Sequence, residues 1–200
     1  MILRFCFLIG LLIFACSAYS QDTLFLISGR IIPVKSVELK EHSIVYSKMT
    51  EKPKFKRMDP ERVFSIKYAD GHERVIFRQD TLDPLDFTEQ QMRMFMKGEQ
   101  DATIYYKNNI NKGAAFVIGA GSAILGIWGL AGPPLYSTIV GSFSPNMMKQ
   151  KVSDPALINV TEYCEGYERK VRDRKIRNAL VGGLGGFIIG VVSYTLIYQK

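Results

Sequence analysis

Residues 174–200 read RKIRNALVGGLGGFIIGVVSYTLIYQK. Five glycines lie in a run that carries no Asp, Glu, Lys or Arg from Asn178 to Gln199, directly after a cluster of bases. Such a run is either the core of a soluble domain or a segment made for lipid. At about 1.5 Å per residue it reaches roughly 33 Å, enough for a hydrocarbon core of about 30 Å. Glycine weakens a helix in water. It is tolerated in lipid, where backbone groups have no solvent partner and must bond within the helix. Tyr194 and Tyr198 lie near one end, where amphipathic rings favour the headgroup zone. The reading is a transmembrane helix over residues 178–199.

A second charge-free run begins at Gly113 and extends to Met148. Its first part, Gly113 to Ala131, reaches roughly 28 Å as a helix and ends near Trp128, which predicts another transmembrane helix over 113–131. Small residues recur in both segments. Gly182, Gly186 and Gly190 repeat every four residues, and Ala115, Gly119, Ser122, Gly126 and Gly129 alternate four and three. Each set makes a smooth strip on one helical face, which lets two backbones approach where lipid offers no hydrophobic driving force. The strips are expected to pack on each other as an antiparallel hairpin, with homo-oligomeric pairing between copies as the alternative.

Between these segments, residues 132–177 carry eight bases, and Arg169, Lys170, Arg172, Arg174, Lys175 and Arg177 crowd against the second span. Juxtamembrane bases commonly meet anionic lipid, so this cluster is assigned to lipid contact rather than to nucleic acid. Asp154-Pro155 suits a helix start, and Leu157, Val160, Cys164, Tyr167 and Val171 come after it at alternating three and four spacing.

At the other end, Met1–Arg4 supplies a positive charge, Phe5–Ala15 is apolar, and small residues stand at 18 and 20. This is the layout of a secretory signal cleaved after Ser20. The alternatives are lipidation at Cys16 and an uncleaved anchor. A cleaved leader places the β-rich residues after it outside the cytoplasm. The first span then enters, the basic loop is cytoplasmic, and the second span returns, in agreement with the positive-inside rule.

Residues 21–80 read as a small antiparallel β-domain, a meander or partly closed barrel of five short strands. The strand-like runs are Leu24–Ile27, Ile31–Leu39, Ser43–Tyr46, Val63–Tyr68 and Glu73–Phe77. Asp70-Gly71 is a two-residue hairpin signal, because Gly71 accepts the positive φ that such turns require. The polar stretch with Lys52, Lys54, Lys56 and Arg57 is read as a solvated loop. A helical bridge over 81–112 opens at Thr88, with Gln91 completing a capping box and Phe87 and Met92 placed as a hydrophobic staple. Met92, Phe95 and Met96 share its apolar side, and Gly98 is expected to bend it. The fold class is therefore α+β, with a two-helix Gly-rich transmembrane hairpin.

Ser28-Gly29-Arg30-Ile31, Ile44-Val45-Tyr46, Val63–Gly71 and Gly98–Ala102, with the two Gly-rich segments, resemble an uncharacterised family of exported Gram-negative envelope proteins of the Bacteroidetes type. The resemblance covers most of the chain after residue 20 and implies location and architecture, not an activity.

Chemistry is sparse. Loss of a leader would leave Cys164 as the one cysteine, and His42 and His72 lie in no metal-ligand spacing. No nucleophile–base or metal constellation is legible, so no cofactor and no metal are expected, and the chain is read as non-enzymatic. The formal net charge of +7 calls for an acidic partner, which the lipid bilayer supplies without nucleic acid. The reading is an inner-membrane protein of a Gram-negative bacterium. Its periplasmic β-domain binds or scaffolds an envelope protein or polymer. An oligomeric channel or transport component and a soluble exported protein with a buried Gly-rich core are the alternatives.

Overall fold

The computed structural model describes residues 21–49, 54–83, 86–107 and 110–198. The expected leader with Cys16, and also Lys52, Gln199 and Lys200, lie outside the described residues. The chain divides into two compact units, with the boundary in sequence between Asp86 and Phe87.

The first unit is one antiparallel sheet of six strands, β1 Asp22–Leu26, β2 Ile31–Lys40, β3 Ser43–Lys48, β4 Phe55–Met58, β5 Val63–Lys67 and β6 Glu73–Val75. Their order is β4-β3-β2-β1-β5-β6. Alternation along the strands sends Leu24, Leu26, Ile32, Val34, Ile44 and Tyr46 into one core with Val63 and Ile66. Gly29 (φ +67°) and Gly71 (φ +90°) supply the left-handed residues of two tight turns.

The sixth strand is a correction to the sequence reading. β4 occupies part of the stretch read as a solvated loop and pairs with β3 from Ile44↔Met58 to Ser47↔Phe55. Its only core contribution is Met58, which is why it carries no apolar alternation. Exposed Lys56 and Arg57 on this edge discourage pairing with a further strand. The connection to β5 is a single 3-10 turn, Pro60–Arg62, capped by the Asp59 carboxylate. Three strands separate β4 from β5, about 19 Å across a flat sheet, and a turn rising about 2 Å per residue cannot reach that far. The sheet therefore curls, but among the described residues it is open rather than closed into a barrel.

Among the described residues the second unit contains four α-helices, α1 Glu89–Tyr105, α2 Ile110–Ser122, α3 Gly132–Ser142 and α4 Thr161–Tyr198. α1 opens with the predicted capping box: Thr88 Oγ1 accepts from the Gln91 amide, and the Gln91 side chain accepts from the Thr88 amide. Met92, Phe95 and Met96 are buried, and Phe87 lies ring to ring with Phe95 at 5.5 Å. The helix runs unbroken through Gly98.

The first Gly-rich segment is not the single helix expected over 113–131. α2 stops at Ser122, a 3-10 segment spans Ala123–Ala131, and Gly126 breaks it with φ +60° and ψ −134°. α3 then starts with Pro133 and Pro134 in its first turn, where the missing N–H groups cost nothing. A straight helix through the same prolines would lose hydrogen bonds, so the break belongs upstream of them. Two helical stretches, Ile110–Ser142 and Thr161–Ile197, are long and apolar enough to cross a membrane. α4 is continuous over 38 residues, about 57 Å at the usual helical rise. Asp154-Pro155 opens only the 3-10 turn Pro155–Asn159, and α4 begins after it.

Candidate functional site: a glycine seam and a buried polar hub

α4 is the spine of the helical unit, and glycines set how closely the other helices approach it. A Cβ at Gly182 would meet the Lys112 carbonyl oxygen, one at Gly186 the Phe116 oxygen, and one at Gly190 the Ala120 oxygen, each closer than 3.0 Å. Each pair is 70 residues apart, so α2 and the apolar half of α4 run parallel. The antiparallel pairing expected from the sequence does not form between them. The reason is α3, which carries the chain back before α4 begins. It is α3 that runs antiparallel to α4, with Pro133 against Gly183 and Gly141 against Ile176 and Arg172.

The structure brings Ala115, Gly119, Gly182, Gly186 and Gly190 into this seam, with Gly119 facing Gly183. Ser122 turns its hydroxyl onto the Gly119 carbonyl, and Gly129 folds back against the Ser122 carbonyl and the Phe187 ring. Gly126 is not part of the strip: it has open space around it and serves the turn. The outer faces remain apolar and exposed. Ile124, Leu125, Ile127 and Trp128 are 66–84 % exposed, and Ile188, Val192 and Leu196 continue the surface on α4.

The same parallel register extends α1 along the polar half of α4. Gly98 and Gly166 let the helices touch at the Tyr163 and Phe95 carbonyls, where neither position leaves room for a Cβ. Around this contact lies a polar hub absent from the sequence reading. Asp101 Oδ2 accepts from the Ser153 amide and hydroxyl and from the Tyr163 hydroxyl at 2.7 Å, and Lys97 stands 3.3 Å from Oδ1. Burial acts to raise the Asp101 carboxyl, but these hydrogen bonds outweigh it and hold it below the usual range. Burial and the neighbouring carboxylate push the Tyr163 phenol far up, so it remains a donor. Glu99 is also buried, 4.0 Å from Arg169, and burial raises its carboxyl.

The basic cluster divides. Arg174 donates to the carbonyl oxygens of Ala102 (3.1 Å), Thr103 (2.8 Å) and Tyr106 (2.7 Å), closing the C-terminal end of α1. Lys175 donates to the Phe143 carbonyl at the end of α3. Arg169 lies over the Phe95 ring at 5.6 Å. Arg172 and Arg177 are exposed, and Lys170 is half-buried. Three of the six bases assigned to lipid thus hold the protein's own backbone or rings. No spacing rule could have marked Arg174 as a cap, because its partners lie about 70 residues upstream.

In the β unit, a groove of about 700 Å³ is lined by apolar residues such as Leu39, Ile76 and Phe77 and by charged residues of both signs, Lys40 and Arg74 with Glu41 and Glu61. Among the described residues no group of His, Cys, Asp or Glu is placed to hold a metal ion. No protein-family model, curated protein or solved structure matches this chain.

Proposed function

We propose that this chain is a non-enzymatic membrane protein of the Gram-negative cell envelope, seated in the inner membrane. Its small β unit is a binding or scaffolding module for an envelope protein or polymer, and the Gly-packed helices are its anchor. One observation carries the reading. The helical unit spends its small residues on internal contact and leaves Ile124, Ile127, Trp128, Leu135, Ile188 and Leu196 outside. A soluble protein buries such residues and keeps exposed apolar patches small. A helical anchor in lipid does the reverse, since acyl chains solvate leucine and isoleucine while close helix contact needs small residues. The β-unit groove, with apolar walls and side chains of both charge signs, supports a binding role without selecting the charge of its ligand.

Membranes from cells expressing the full chain are washed with alkaline carbonate. The protein is expected to stay in the pellet and to enter solution with mild detergent. Recovery in the carbonate supernatant would sink the proposal.

A further inference from the structure

We infer that α2, the Ala123–Ala131 segment and α3 form a wedge that enters and leaves the bilayer through the same face, covered by lipid acyl chains, so that α4 alone crosses. This rests on the membrane reading above.

The first ground is register. Lys112, near the start of the wedge, lies over Gly182, and Gly141, near its end, lies against Ile176 and Arg172. Both ends of the wedge therefore sit beside the base of the apolar half of α4. The second ground is length. α2 has 13 residues, about 20 Å, against a hydrocarbon core of about 30 Å. Ala120 is level with Gly190, so the turn after α2 lies beside the last turns of α4. The third ground is the chemistry of that turn. AILGIWGLA, residues 123–131, contains no polar side chain, and Ile124, Leu125, Ile127 and Trp128 face outward. A turn emerging into water is built from Gly and Pro, which suit its backbone angles, and from Asn, Asp and Ser, whose side chains bond the local backbone. Only the glycines are present here. The segment is 3-10 helix on either side of Gly126, so the irregular backbone is confined to that glycine.

The wedge also fixes sidedness. α1, and through it the chain that leads from the β unit, joins the wedge at Ile110. The α3–α4 connection with Lys149 and Lys151 leaves it at Ser142. Both connections then share one aqueous compartment with Arg169–Arg177. A leader and a positive-inside loop no longer describe opposite faces.

The test uses the full chain with Cys6→Ala, Cys16→Ala and Cys164→Ser, expressed in a Gram-negative host. Single cysteines are introduced as His42→Cys, Lys149→Cys or Lys200→Cys, and spheroplasts receive an impermeant maleimide before or after lysis. His42→Cys and Lys149→Cys are expected to share one labelling pattern, and Lys200→Cys to show the opposite one. Glu41→Cys and Ser144→Cys repeat the comparison at neighbouring exposed positions. Opposite patterns for residues 42 and 149 in carbonate-resistant protein overturn the wedge. So does one common pattern for all three positions in carbonate-resistant protein. Loss to the carbonate supernatant overturns the membrane reading itself and is seen before any labelling.

Discussion

Gly186 lies directly beneath the Phe116 carbonyl, so that a methyl group built on it would collide with that oxygen. A Cβ built on Gly185, the preceding residue, would meet nothing within 4 Å. The two glycines differ only in which face of α4 they occupy. Gly186→Ala is expected to push α2 away and to destabilise the helical unit by about 1–3 kcal/mol, the usual cost of overpacking. Gly185→Ala is expected to be neutral or mildly stabilising. Thermal unfolding in mild detergent compares them, and equal losses would refute the seam.

Arg174 gives a second, independent check on the α1–α4 contact. Arg174→Met keeps much of the side-chain volume and removes the donors to Ala102, Thr103 and Tyr106. The expected loss is about 1.5–3 kcal/mol, as for hydrogen bonds to a charged group. Amide exchange in the last turn of α1 should quicken. Arg174→Lys should rescue only part, because an ammonium cannot fork across three carbonyls.

The hub sets opposite pH dependences at two neighbouring carboxyls. Asp101 is held below its ordinary value of 3.8, so its contribution is present above that value and is lost as pH falls through the lower folded value. Asp101→Asn should remove this acid-side decline. Glu99 is raised above its ordinary value of 4.5, so its ionised form disfavours the fold. Its contribution improves as pH falls through the raised value and levels off below 4.5. Glu99→Gln should therefore be more stable than the parent at pH 7 and should flatten that part of the profile. Melting curves across pH 3–8 test both; a Glu99→Gln variant weaker at pH 7 would contradict the assignment.

Cys164 should be a sluggish thiol. Its Sγ donates to the Ile158 carbonyl at 3.1 Å, and burial, then Glu168, raises it above the ordinary range. Maleimide at neutral pH is expected to modify the folded protein roughly tenfold more slowly than the denatured chain, since the thiolate is the reacting form. Equal rates would show that the thiol is not held as described.

Local signals are legible in the sequence and long-range ones are not. The Thr88–Gln91 box is written in adjacent residues and appears in the structure, whereas Asp70-Gly71 marks the turn but not its length: the loop is three residues, Ala69–Gly71, closed by the Tyr68 amide on the His72 carbonyl, with only Gly71 at positive φ. β4 leaves no such trace, because an edge strand needs only one buried residue and Met58 alone has no period. Spacing identifies glycines with one helical face, but not the direction of the partner helix. A four-residue repeat is the same whether the neighbour runs parallel or antiparallel. Uniform hydrophobicity hides the break at Gly126, while Pro133-Pro134, a start signal in the same segment, reads equally well as the beginning of a loop. The Asp101 hub joins residues more than 50 positions apart, and nothing local announces it.

α4 passes from the Asp101 hub to the last apolar turn without an internal joint. A rod of about 57 Å that tilts by about 10° about its midpoint moves each end by about 5 Å. Bilayers of different thickness impose different tilts on a helix of fixed apolar length. With α4 seated in a membrane as proposed, the hub at the polar end would share that rod, and bilayer thickness would bear on the position of α1. An anchor built this way is also a lever.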